Sequence, residues 1–265
     1  MLRRILASAA ALAMMAAPAQ AEEPASAPKP PPLEAYGDLP GVEDMAISPD
    51  GTGLAFIAKV EGKRMLVVTG DGGKSVRGGA ALEDTKVHSV NWAGNDIVWL
   101  YTSSTQNLGY GFTSNKHEFY GAILLYPESG KVDAVFKGRA NIANAIFGMH
   151  GTRTVDGKLL GYFEGIELQQ SAGRNGYVFD HGRPALFAVD LAKNKPSKIA
   201  PSAGENHWRD WLVGADGRIA ATLDVSSNTG KWEIENVQHL TLASGVDAEG
   251  DVSLVSLGKT PATII

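Results

Sequence analysis

The sequence predicts an all-β chain folded as a β-propeller of about four blades, either a partial ring or a four-bladed one. Three observations predict it. A turn signal flanked by short apolar runs recurs at Asp50-Gly51, Gly94-Asn95, Asp156-Gly157 and Asp216-Gly217. The intervals between these signals are 44, 62 and 60 residues, and a four-stranded blade takes about 40–45 residues. Glycine is abundant, with 31 of 265 residues, many of them beside Asp, Asn or Lys, as a turn-rich β chain requires.

The first turn shows the local logic. In Ser48-Pro49-Asp50-Gly51, Pro at the second position fixes φ near the type I value, Ser can bond the backbone, and Gly eases the exit. Met45-Ala46-Ile47 precedes it and Leu54-Ala55-Phe56-Ile57 follows, both short and apolar like strands. Outer strands complete each unit. They are Arg64–Thr69 and Lys74–Arg77, Tyr120–Tyr126 and Lys131–Phe136, Ala185–Asp190 and Ser197–Ala200, and in the last unit Trp232–Leu242 and Val252–Leu257. Blades then fall at about 40–80, 86–137, 142–201 and 207–258. The surplus in the two longer intervals lies in Thr102–Phe119 and Ile166–Arg183, which are polar, poorly periodic and read as long loops. Leu54–Ile57 and Ile97–Leu100 are apolar on both faces, which suits strands sandwiched between blades.

Ahead of the blades, residues 1–21 read as a secretory signal peptide. Arg3-Arg4 supplies the basic start, Ile5–Ala17 an apolar run shorter than the roughly 20 residues of a membrane span, and Ala19-Gln20-Ala21 a cleavage pattern. Arg3-Arg4 lacks the polar and Phe context of a twin-arginine signal. Residues 22–32, rich in Pro and Ala, read as an extended tether, with the folded part from Leu33 to Ile265. The expected location is the periplasm or the exterior. Cleavage leaves 22 basic against 29 acidic side chains, a net charge of −7. That charge argues against nucleic acid and anionic membranes as partners. The chain has no cysteine, so it has no disulfide, thiolate nucleophile or Cys-ligated metal.

Leu33-Glu34-Ala35-Tyr36-Gly37-Asp38-Leu39-Pro40-Gly41-Val42-Glu43-Asp44-Met45-Ala46-Ile47-Ser48-Pro49-Asp50-Gly51 resembles the start of exported bacterial serine peptidases of the prolyl oligopeptidase family. The signal peptide, Pro-rich tether and Ser-Pro-Asp-Gly turn come in the same order there. Beyond that stretch the match rests on blade spacing and Asp-Gly turns, and the turn also resembles TolB-like propellers. The resemblance implies a propeller that filters and docks peptide substrates for a C-terminal α/β-hydrolase domain bearing a Ser/Asp/His triad. This chain contains no Gly-x-Ser-x-Gly nucleophile elbow and no strand–helix alternation after the blades. No catalytic residue is therefore assigned, and the peptide partner and the hydrolase domain belong to a longer parent. Glu164 and Glu167 are not adjacent, so the paired glutamates of the dipeptidyl-peptidase branch are missing. The alternative is a self-standing periplasmic TolB-like module that binds a protein or a ligand.

Other motifs read as structure. Gly73-Lys74-Ser75 mimics the end of a phosphate-binding loop, but Val68 stands where the first Gly belongs. Asp247, Glu249 and Asp251 lack the distal Glu of a calcium loop. His88, His117, His150, His181, His207 and His239 show no metal-ligand spacing, and no cofactor or metal is assigned. Paired carboxylates for glycoside cleavage leave no sequence signal. Two arginines are the substrate-binding candidates. Arg209 lies in His207-Trp208-Arg209-Asp210-Trp211, where strand alternation puts His207, Arg209 and Trp211 on one face. That face is either a contact surface or tryptophan packing with Arg209 paired to a carboxylate. Arg183 ends the second insertion and is suited to a peptide carboxylate.

Overall fold

The structure is a computed structural model, and it describes residues 41–265 other than 109–113, 174, 248, 250–251 and 260–262. The expected signal peptide and tether lie outside the described residues. Among the described residues, four antiparallel four-stranded sheets follow one another, each wound strand beside strand. The first contains β1 (Val42–Ile47), β2 (Leu54–Val60), β3 (Lys63–Gly70) and β4 (Ser75–Ala81). The second contains β5 (Lys86–Ala93), β6 (Ile97–Asn107), β7 (Lys116–Tyr126) and β8 (Lys131–Ala134). The third is built from β9 (Gly148–Val155), β10 (Lys158–Gly165), β13 (Ala185–Asp190) and β14 (Lys195–Ala200), with a small hairpin of β11 (Gln169–Gln170) and β12 (Tyr177–Val178) inserted between β10 and β13. The fourth contains β15 (His207–Val213), β16 (Ile219–Ser226), β17 (Lys231–Glu235) and β18 (Thr241–Val246). Such meanders, repeated in sequence, are propeller blades. The fold is that of a β-propeller.

The first turn forms as its residues dictate. The Gly51 amide donates to the Ser48 carbonyl at 2.8 Å, the Gly53 amide to Ser48 Oγ at 2.8 Å, and Ser48 Oγ to Asp50 Oδ1 at 2.6 Å. Gly51 sits at φ +74°, where a side chain would be strained.

The two insertions correct the sequence expectation. Strand pairing runs on through Thr102–Asn107 and resumes at Lys116, in register from Ser103 opposite Tyr120 to Asn107 opposite Lys116. A hairpin that projects into water satisfies its backbone by pairing and needs no apolar face, so hydropathy does not reveal it. The same holds for β11 and β12. In the last blade the outer strands are Lys231–Glu235 and Thr241–Val246, where the sequence suggested Trp232–Leu242 and Val252–Leu257. Asn236 breaks the expected strand. Its Oδ1 accepts the amides of Gln238 (2.9 Å) and Leu240 (3.1 Å), building a side-chain-capped turn. Val237 and Leu240, which made the stretch look strand-like, stand exposed on that turn.

Three buried clusters lie between consecutive blades. Ala55, Ile57, Leu66 and Val68 meet Val90, Val98 and Leu100 between the first two. Trp99, Leu124 and Phe136 meet Phe163 and Phe187 between the next two. Tyr162 and Leu186 meet Trp211 and Val213 between the last two. Ile97–Leu100 is buried on both faces, as expected of a sandwiched strand. In β2, Ala55 and Ile57 are buried while Leu54 and Phe56 share a half-covered face with the exposed Met45 and Ile47. Among the described residues, no buried cluster joins the fourth blade to the first.

Each seam also carries a polar staple. Asp44 Oδ2 accepts the Val90 amide at 2.7 Å across the first, and Tyr126 Oη donates to the Leu191 carbonyl at 2.6 Å across the second. Across the third, Arg153 donates from Nη2 to the Val213 carbonyl (2.9 Å) and from Nε to that of Gly214 (3.0 Å). No helix among the described residues is long and apolar enough to cross a membrane.

Candidate functional site

The fourth blade gathers the groups that can engage a ligand. Its strand β15 alternates as its sequence requires: His207, Arg209 and Trp211 all line one groove, with Thr222, Asp224 and Ser226 beside them on β16. The groove has a volume of about 1240 Å³ and runs from Ile199–Pro201 of the third blade across the face of the fourth. That exceeds the roughly 300–1,000 Å³ of small-molecule pockets.

Asp224 organises the floor. Its Oδ2 accepts from Arg209 Nη2 at 2.6 Å and Nε at 3.0 Å, and its Oδ1 bonds His207 Nδ1. Arg209 is therefore held by a carboxylate, and Trp211 is buried against the third blade. Glu235 Oε2 bonds His239 Nδ1 at 3.0 Å, and Glu233 accepts from the Thr241 hydroxyl. Four carboxylates (Glu205, Asp224, Glu233, Glu235) face two cations (Arg209, Lys231) along the groove, so its field is negative when the histidines are neutral.

Arg183 lies elsewhere. Its Nε donates to the Ala203 carbonyl at 3.0 Å, and its amide donates to His181 Nδ1 at 3.3 Å. It ties the inserted segment to the connection that leads into β15. Arg183 and Arg209 are not brought together as one site among the described contacts.

Two further constellations involve histidine. In the second blade His88 Nε2 lies 2.7 Å from Ser103 Oγ, and Ser103 Oγ donates to Glu118 Oε1 at 2.6 Å. The single hydroxyl proton goes to the carboxylate, so His88 Nε2 carries the hydrogen and donates to Ser103. This wiring is the reverse of a nucleophile with its base, where imidazole accepts the serine proton. The Ser103 and Thr105 hydroxyls and the Lys86 ammonium together hold the Glu118 carboxyl down at about 2. Tyr101 and Tyr120 stack at 5.2 Å over the same imidazole. Burial, with the neighbouring Tyr120, raises the Tyr101 phenol above its ordinary value.

At the seam between the third and fourth blades, His150 stands between two carboxylates. Its Nε2 is 3.0 Å from Glu164 Oε1 and its Nδ1 is 3.8 Å from Asp210 Oδ1. The ring meets Trp211 edge-on, with centroids 6.2 Å apart. One ligand atom from each of the three residues lies within 4.8 Å of the others. Sequence reading missed this grouping. Asp210 stood in the aromatic cluster it singled out, but nothing in the sequence links that residue to His150 or Glu164.

No protein-family profile matches the chain, and no curated protein does. Solved structures do. TolB from Acinetobacter baumannii aligns with 76% of this chain and 42% of its own, at 10% identity and a TM-score of 0.39. Putative TolB from Agrobacterium tumefaciens aligns with 76% of this chain and 65% of its own, at 15% identity and 0.34. Prolyl oligopeptidase B from Galerina marginata, bound to a hydrolysis and macrocyclization substrate, aligns with 77% of this chain and 35% of its own, at 12% identity and 0.32. The chain spans about two-fifths of the length of the first of these.

Proposed function

We propose that this chain is the propeller portion of an exported serine peptidase resembling prolyl oligopeptidases, and that it docks and filters peptides for a hydrolase domain carried elsewhere in the parent protein. The groove on the fourth blade carries the reading. It is open and larger than a small-molecule pocket, it runs along strands, and its charged floor is wired within itself. Such a surface suits an extended chain. Its four carboxylates against two cations favour peptides with a free amino terminus or basic side chains. The half-covered apolar face of the first blade agrees with a propeller that continues into further protein.

The test is made on the native protein. An antibody to residues 41–265 should detect, in extracts of the source cells, a species heavier than 27.9 kDa by a hydrolase domain, and a serine-reactive phosphonate should label it. The isolated chain should bind peptides without cleaving them. A native species no heavier than the chain, unlabelled by the phosphonate, would overturn the peptidase reading in favour of a self-standing binding module.

A further inference from the structure

We infer that His150, Glu164 and Asp210 form a binding site for a divalent first-row transition metal, zinc above all, that bridges the third and fourth blades. Charge balance is the first argument. The side chains of His150 and Glu164 are only 11% and 12% exposed, and that of Asp210 is 26% exposed. Among the described residues neither carboxylate pairs with a Lys or Arg; Asp210 Oδ1 accepts the Trp211 amide at 2.7 Å, a neutral partner that leaves its charge in place. One imidazole offsets at most one of the two negative charges, and charges taken out of water are paired or coordinate metals. A divalent cation neutralises both.

Geometry is the second argument. Tetrahedral zinc with bonds of about 2.0–2.2 Å sets two ligand atoms about 3.3–3.6 Å apart, and His150 Nε2 and Glu164 Oε1, hydrogen-bonded at 3.0 Å, need to part by only about 0.5 Å to take one ion between them. Asp210 supplies the third ligand from the neighbouring blade, inside the 4.8 Å that spans the set. The Glu164 carboxylate lies over residue 148, where a Cβ would overlap it and only Gly148 leaves it room. Imidazole suits zinc, copper, iron and nickel, while carboxylates are harder ligands. One nitrogen with two oxygens therefore fits a borderline ion such as Zn²⁺ better than Ca²⁺ or Mg²⁺. Three protein ligands leave a position open to water.

The test is calorimetric titration of ZnCl₂ into untagged, chelator-treated protein. One equivalent should bind. Asp210→Asn and His150→Ala should each weaken binding by more than the roughly 10–100-fold that an outer-shell partner costs. His117→Ala removes an exposed histidine on β7 of the second blade and should change nothing. Co²⁺ in place of zinc should quench Trp211 fluorescence, because His150 lies against that ring, and Trp211→Phe should abolish the quench. If His150→Ala fails to fold, Asp210→Asn, which keeps the shape of its side chain, decides alone. Absence of binding, or binding lost with His117→Ala and kept in Asp210→Asn, would overturn the assignment.

Discussion

At the scale of single residues, Ser103 has the clearest measurable role. It stands between an imidazole that donates to it and a carboxylate that takes its proton. The folded-state pKa of Glu118 falls from its ordinary 4.5 to about 2. A depressed carboxyl contributes stability that is fully present above the unfolded value and is lost as pH falls through the folded one. The window for this group is therefore pH 4.5 down to about 2. In Ser103→Ala the Glu118 carboxyl should titrate closer to 4.5, followed by its side-chain carbon resonance. Acid unfolding should begin at a higher pH than in the parent. An unchanged Glu118 titration would show that Thr105 and Lys86 suffice without Ser103.

At the scale of elements, strand β10 carries both packing and site. Gly165, at its end, faces the ring of the fully buried Phe136, and a Cβ there would lie 2.8 Å from Phe136 Cε2 and 3.2 Å from Ile142 Cγ2. Gly165→Ala should destabilise the protein by about 1–3 kcal/mol, the usual range for an overfilled core, read from chemical denaturation. The same strand explains what the sequence conceals. Its turn at Asp156-Gly157 sets Lys158 opposite Val155, and that register, carried through unbroken, puts Glu164 opposite Met149 and on the far face from His150. A bulge between Gly161 and Phe163 shifts the pairing so that Glu164 faces Gly148. The two residues of β9 set against Tyr162 are His150 and Gly151, and the bulge leaves His150 Nε2 3.0 Å from Glu164 Oε1. The turns announce themselves through Gly, Asp and Asn in pairs, whereas this bulge is marked only by the lone strand glycine Gly151, at φ +79°, which does not say which side chains it re-aims. The repeating hairpins were legible for that reason. The paired stems of the insertions and the turn at Asn236 were not, because their backbone is satisfied locally and hydropathy does not mark it.

At the scale of the whole described propeller, stability is organised seam by seam. The third seam depends on Arg153, whose guanidinium caps two carbonyls of the next blade. Hydrogen bonds to a charged group contribute about 1.5–3 kcal/mol each. Arg153→Met keeps the apolar stem and removes both bonds. It should lower stability by a few kcal/mol and raise amide exchange first in β15 and β16. Uniform loss of protection over all four blades would instead show that the blades unfold as one unit. Of the candidates drawn from sequence, Arg209 does line the groove, as strand alternation required, yet its partner Asp224 lies one hairpin further on, across the Asp216-Gly217 turn. The metal triad joins two blades, a distance that no local pattern encodes.

The staples have a further consequence for how this sequence can drift. In each one, a particular side chain on one blade engages the main chain of its neighbour: Asp44 the amide of Val90, Tyr126 the carbonyl of Leu191, Arg153 those of Val213 and Gly214. Every residue supplies a carbonyl, and every residue but proline an amide. The seams are thus mutationally one-sided. The receiving strand can change its side chains and keep the joint, provided the core packing is respected, whereas the giving strand cannot. Descendants of this chain should therefore preserve Asp44, Tyr126 and Arg153, while the buried positions 90, 191 and 213 exchange among apolar residues without loss of the joint.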